Sequence, residues 1–260
     1  MIIGKSKKEL EKMRAAGRLV AEVREELRRL VRPGVTTLEL DMAAEKMIRD
    51  AGALPTFKGY HGFPFSICAS VNEQVVHGFP STYALKDGDI FSLDVGATLG
   101  GFVGDTATTV PVGRVSEDRL RLIKVAEECL GRAIDQCWPG RYLGDVGWAV
   151  QSHAEAHGYS IVRDYVGHGI GRQMHEDPQI PNYGKPGTGP RIKAGYVFAL
   201  EPMINMGKQH TKTLKDGWTV VTVDGMPSAH VEHTVAITEE GPEVLTRVAG
   251  AVPQAETAGA

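Results

Sequence analysis

Apolar residues recur at steps of three and four through Leu10, Met13, Ala16, Val20, Val23, Leu27 and Leu30, the period of one buried helix face. Ser6 with Glu9 forms a capping-box pair at the start of this helix, and Pro33-Gly34 ends it. Thr36 with Glu39 opens a second helix that runs to about Asp50, before Gly52. Loops and short strands fill 53–85. A third helix begins near Ser116 with apolar Leu120, Ile123, Leu130, Ile134 and Cys137, and Pro139-Gly140 separates it from a fourth that stops by Gly158. Between the helical pairs the pattern turns to β-branched and apolar residues on either side of Gly100-Gly101, over Phe91–Gly96 and Gly104–Val110, which predicts a hairpin.

A hairpin loop centred between Leu99 and Gly100 sets Asp94 directly opposite Asp105 on one face, with Cβ atoms about 4.5–5.5 Å apart. Like charges there repel. Their neighbours on that face, Ser92, Gly96 and Ala107, are small, so neither carboxylate is expected to be buried or neutralised by protein, and a cation would relieve the pair.

The same order of signals occurs twice. Sliding the chain by 106 or 107 residues lays Pro33-Gly34 on Pro139-Gly140, Gly52 on Gly158, His61-Gly62 on His168-Gly169, and Lys86–Asp94 on Lys193–Glu201. A repeat of this length is a half-domain. The expected fold is α+β and pseudo-twofold, with an antiparallel sheet inside, helices outside and the site at the centre. One domain over 1–248 would consist of halves at about 1–110 and 111–246, followed by a flexible tail over 249–260. The repeat adds Glu201 as the counterpart of Asp94. Glu232, in the strand Ala229–Val235, then becomes the counterpart of Asp105. His168, between Gly167 and Gly169, sits where backbone can approach closely.

Four carboxylates and one imidazole suit a pair of divalent ions, which together balance the charge. Oxygen-rich ligation without thiolate favours Mn²⁺, Fe²⁺ or Co²⁺ over a structural zinc. Such a pair activates water for attack on a carbonyl, so the expected reaction is hydrolysis. Composition changes this picture little. The net charge of −3 over 260 residues, with both signs interspersed, carries no footprint for nucleic acid or an anionic membrane. Three cysteines without paired spacing fit a reducing compartment. No stretch approaches the roughly 18 apolar residues of a membrane span, so a soluble, cytoplasmic protein is expected.

Asn72–Gly78, Asp94, Gly104-Asp105-Thr106, Gly167–Gly171, His175–Pro178, Phe198–Pro202 and Glu232-His233-Thr234 together resemble the type I methionine aminopeptidases, members of the pita-bread metallohydrolases. The likeness runs from about 5 to 246. It implies removal of the initiator methionine from nascent chains when the second residue is small. Asp94, Asp105, His168, Glu201 and Glu232 would be metal ligands, and Glu201 would double as general base. His77 would contact the scissile amide and His175 the carbonyl oxygen. Tyr60, Cys68 and Trp218, with His61 beside them, would form the methionine pocket. The short interval between Glu201 and Glu232 fits type I, and Met174 stands where relatives often carry an aromatic, a departure expected to soften the pocket wall. The resemblance also implies work near the ribosome. No amphipathic stripe is left over, so a monomer is expected. Two other readings stay open on the same scaffold: cleavage before proline or of amidines, and a metal-free binding protein.

Overall fold

The computed structural model describes residues 2–248, and the expected tail over 249–260 lies outside them. Among the described residues the four α-helices are α1 (Lys7–Leu30), α2 (Thr37–Asp50), α3 (Glu117–Asp135) and α4 (Leu143–Ala156). The capping boxes Ser6/Glu9 and Thr36/Glu39 start the first two, each with both reciprocal bonds. Two residues of the expected apolar stripes are exposed instead: Leu30, at 40%, and Leu120, at 44%, each in an end turn of its helix. No helix among the described residues is long and apolar enough to cross a membrane.

Among the described residues nine strands make one antiparallel sheet: β1 (Leu54–Pro55), β2 (Ile67–Val71), β3 (Ile90–Leu99), β4 (Phe102–Pro111), β5 (Gly167–Gly169), β6 (Glu176–Ile180), β7 (Val197–Leu200), β8 (Glu232–Thr238) and β9 (Gly241–Val244). β4 pairs with β8 at the centre. β3 and β2 continue on one side, and β7, β5 and β6 on the other. From β2 to β5 the order therefore mirrors itself about the β4–β8 seam. The odd-numbered residues of β3, including Phe91, Leu93 and Val95, face α1 and α2 in one apolar core. Phe198, Leu200, Val235 and Ile237 face α3 and α4 in another. Both helix pairs thus cover the same side of the sheet, and the opposite side is left for the site.

The hairpin register differs from the expected one. The two-residue turn is Gly100-Gly101, both with positive φ (58° and 81°), so Leu99 pairs Phe102, Asp94 pairs Ala107 and Asp105 pairs Gly96. Asp94 and Asp105 are diagonal rather than directly opposite neighbours. A shift of two keeps both on one face, where a slip of one would have separated them.

α1 crosses β4 where Gly104 removes a side chain. A Cβ there would lie 2.7 Å from the carbonyl carbon and oxygen of Ala16, backbone atoms that cannot swing aside. Gly104→Ala should therefore cost about 2 kcal/mol, the scale of overpacking; an unchanged urea midpoint would show that α1 can retreat freely.

Candidate metal centre and active site

The pairings place the candidate ligands in a row across the open face. Cys68 on β2 pairs Asp94, Asp94 pairs Ala107, and Ala107 pairs Glu232. Thr234, two residues on, pairs Ala199, and Ala199 pairs His168. Side chains alternate along a strand, so Asp105 joins this face beside Ala107, and Glu201 follows Ala199 where β7 ends. His168 is held by the backbone approach that its glycines permit: a Cβ on Gly167 would stand 2.5 Å from the Ala199 carbonyl oxygen.

These groups converge. Ligand atoms of Asp105, His168 and Glu232 lie within 4.8 Å of one another. His168 Nε2 is 3.4 Å from Glu201 Oε1 and 3.9 Å from Asp105 Oδ2. Asp94 lies close enough to Asp105 and Cys68 for each to influence its ionisation. Contrary to the expectation of open carboxylates, Asp94 is 9% and Asp105 3% exposed, because β2 and the sheet's curl enclose them.

Burial without a cation is costly for four acids. Desolvation pushes Asp94 up to about 7. Desolvation first, then neighbouring carboxylates, hold Asp105, Glu201 and Glu232 well above the usual range. Asp94 Oδ1, Asp105 Oδ1 and Glu232 Oε1 are buried with no hydrogen-bond partner. Native structures seldom leave such oxygens unsatisfied, and a hard divalent cation is what they suit. His168 is pulled down to about 3 by burial and by His175, which keeps its imidazole neutral, the form a metal needs.

Two further histidines, His77 and His175, border the cluster. His77 takes a left-handed backbone (φ 59°), unusual without glycine. Its ring packs 5.7 Å from Tyr165 and 6.2 Å from Trp218, and burial, then His175, lowers it to about 4. The His175 ring lies 4.3 Å from that of His168. It reaches solvent, yet desolvation and then His61 keep it below the ordinary imidazole range. Its Nδ1 is 2.6 Å from the Tyr60 hydroxyl; with that hydroxyl donating, the proton stays on Nε2. The loop before His175 is tied by Glu176, whose Oε1 accepts from the Arg172 and Gln173 amides (2.8 and 3.2 Å) and whose Oε2 bridges Lys5 Nζ at 2.6 Å.

Tyr60, Cys68 and Trp218 share an apolar cluster with Phe63, Phe65 and Met174. Trp218 meets Phe63 edge-on at 5.2 Å. His61 meets Tyr60 edge-on, with ring centroids 4.4 Å apart, at the exposed rim. Two residues escaped the sequence reading. His230 Nε2 stands 3.9 Å from Glu201 Oε2; its place two residues before Glu232 on the extended backbone was the available signal. Arg24 is buried on the helix side, donating to Thr106 Oγ1 at 2.6 Å, while Thr106 Oγ1 donates to the Glu232 carbonyl oxygen at 2.9 Å. A charge inside the apolar stripe of α1 could have disclosed it.

Residues 11–239 match the model of metallopeptidase family M24. Methionine aminopeptidase 1 of Bacillus subtilis (strain 168) is 54% identical over 248 residues, covering 95% of this chain and 100% of that one. Methionine aminopeptidase 1 of Mycobacterium tuberculosis (strain CDC 1551 / Oshkosh) is 47% identical, with 92% of each chain covered. The crystal structure of methionine aminopeptidase from Thermotoga maritima superposes with a TM-score of 0.94 at 46% identity, over 95% of this chain and 100% of that one. Prolidase from Pyrococcus horikoshii OT3 shares the fold alone, with a TM-score of 0.77 at 20% identity over 95% of this chain and 64% of that one. The architecture is thus the pita-bread fold, and the chain belongs to metallopeptidase family M24, among the methionine aminopeptidases.

Proposed function

We propose that this chain is a metal-dependent aminopeptidase that removes the N-terminal methionine of nascent proteins and peptides when the second residue is small. The observation that carries the reading is the enclosed row of four carboxylates and His168, with three buried carboxylate oxygens unpartnered. Its likeness to methionine aminopeptidases over nearly the whole chain supports the substrate.

Asp94, Asp105, His168, Glu201 and Glu232 would hold two divalent ions, Co²⁺, Mn²⁺ or Fe²⁺. When bound, the ions supply Lewis acidity and make water acidic enough to attack near neutral pH. Glu201 accepts the proton of the attacking water, the part of a general base. His175, oriented by Tyr60, presents Nε2–H to the carbonyl oxygen as it gains negative charge. Neutral His77 hydrogen-bonds the scissile amide at its nitrogen. Tyr60, Cys68 and Trp218 enclose the methionine side chain, with Phe63 and Met174 behind them and His61 at the mouth; sulfur against aromatic edges is a favourable contact. The two pseudo-symmetric halves form one catalytic domain over 1–248. We place the enzyme in the cytoplasm as a monomer that meets new chains close to the ribosome.

His77→Ala should leave metal content intact and lower kcat by about 10²-fold with little change in KM, since it acts on the substrate in the transition state. Loss of bound metal in that variant would reassign His77. The activity itself is tested by peptide release with added Mn²⁺ or Co²⁺: Met-Ala-Ser should lose methionine, Met-Ile-Ser should react far more slowly, and Ala-Pro-Ser should persist. Preferential cleavage of Ala-Pro-Ser would favour the proline-specific reading.

A further inference from the structure

On the helix-covered side of the sheet, opposite the carboxylates, α3 and α4 bring together Glu128, His153 and His157. One ring nitrogen of each histidine and a Glu128 carboxylate oxygen lie within 4.8 Å of one another, and all three residues are partly buried. We propose that these residues form a second, peripheral site for a borderline divalent cation of the Zn²⁺ or Ni²⁺ class, clasping α3 to α4.

The argument begins with helix geometry. His153 and His157 are four residues apart at the end of α4, so their side chains share a face, and their ring centroids are 4.3 Å apart. Glu128 reaches the same point from α3, its Oε2 standing 2.7 Å from His153 Nε2. A tetrahedral ion with bonds of about 2.0–2.2 Å needs donors roughly 3.3–3.5 Å apart. The His153–Glu128 pair at 2.7 Å is closer than that and every pair is within 4.8 Å, so small side-chain rotations complete the set.

His157 is already prepared for the role. Its Nδ1 donates to the His153 carbonyl oxygen at 2.9 Å, which places the proton on Nδ1 and leaves Nε2 with a free lone pair. A second hydrogen bond from the non-ligating nitrogen to a carbonyl is the usual outer support of a metal-bound imidazole. A helix-capping role for His157 accounts for Nδ1 but not for a second imidazole and a carboxylate gathered beside the same ring. On binding, His153 takes the tautomer with its proton on Nδ1, freeing Nε2 from Glu128 to act as a neutral ligand. Lys124 Nζ, 3.9 Å from Glu128 Oε1, is the competing cation, and its side chain is 66% exposed, so it can swing away. Two imidazoles and one carboxylate select Zn²⁺, Ni²⁺ or Cu²⁺ over Mg²⁺ or Ca²⁺, which prefer oxygen ligands throughout. Open positions would be filled by water. This site is independent of the proposed aminopeptidase reaction.

The test uses untagged full-length protein. Equilibrium dialysis against Zn²⁺ should show one more ion per chain in wild type than in His157→Gln, the active centre being common to both, and wild type should be retarded on immobilised Ni²⁺ where His157→Gln is not. Glu128→Gln, which keeps the helix cap and both imidazoles, should also lose the extra Zn²⁺ and serves if His157→Gln proves unstable. Equal Zn²⁺ content in wild type and Glu128→Gln, or equal retention of wild type and a folded His157→Gln, overturns the proposal.

Discussion

Glu201→Gln is expected to abolish turnover of Met-Ala-Ser, by about 10⁴-fold, the upper end of what a positioned base contributes. The amide keeps the shape of the carboxylate but can neither accept the water's proton nor give a full charge to a divalent ion. The same change should raise the melting temperature of the metal-free protein above pH 7. It removes one of four buried like charges, and Glu201 is pushed upward by desolvation and by Asp94. Activity and stability should therefore move in opposite directions, as expected where a functional site holds charge that the fold alone would not choose. A general structural defect would lower both. Retained turnover with normal metal content would remove Glu201 from the proposed base role.

Stripping divalent ions with a chelator should end turnover, and the loss of stability that accompanies it should depend on pH in a definite sense. In the unfolded chain an Asp titrates near 3.9, while burial brings folded Asp94 to about 7. Between those values the folded, metal-free protein binds more protons than the unfolded chain, so its stability falls as pH rises. Below that window the carboxyls are protonated in both states and the penalty vanishes. Above it the penalty is complete, on the order of 4 kcal/mol for Asp94 alone. Bound ions take the place of the protons and add their own binding free energy. The melting difference between metal-loaded and metal-free protein should hence be small near pH 4 and large near pH 8. A difference that is constant or shrinks with pH would mean that the carboxylates are not the groups the ions neutralise.

The site was legible to different depths. Asp94 and Asp105 could be found from the hairpin and Glu201 from the repeat, because duplication writes the same spacing twice, while His168 was marked by its flanking glycines. Glu232 followed from its strand. His77, His175 and the pocket residues Tyr60, Cys68, His61 and Trp218 came only through resemblance, since isolated histidines and aromatics carry no periodic signature. Arg24 and His230 were overlooked although each sits at a position whose neighbours mark its face. A polar residue in a patterned segment draws notice only when its partner, distant in the chain, is known.

Local interactions explain what the chain alone could determine. Capping boxes at Ser6 and Thr36, the breaks at Pro33-Gly34 and Pro139-Gly140, and the alternation around Gly100-Gly101 act over three to seven residues, so they leave their mark in the order of residues. The 106–107-residue offset extended that reading to a pseudo-twofold α+β fold. Tertiary structure decided the rest. The hairpin register moved by two because the turn is built on two glycines with positive φ, a backbone preference that the spacing of acids does not report. The enclosure of Asp94 and Asp105 depends on β2 lying against β3, and the tie from Lys5 to Glu176 spans 171 residues. Burial and the shifts in proton affinity that follow from it are set by every element around a group, which is why the carboxylates were visible in the sequence and their electrostatic state was not.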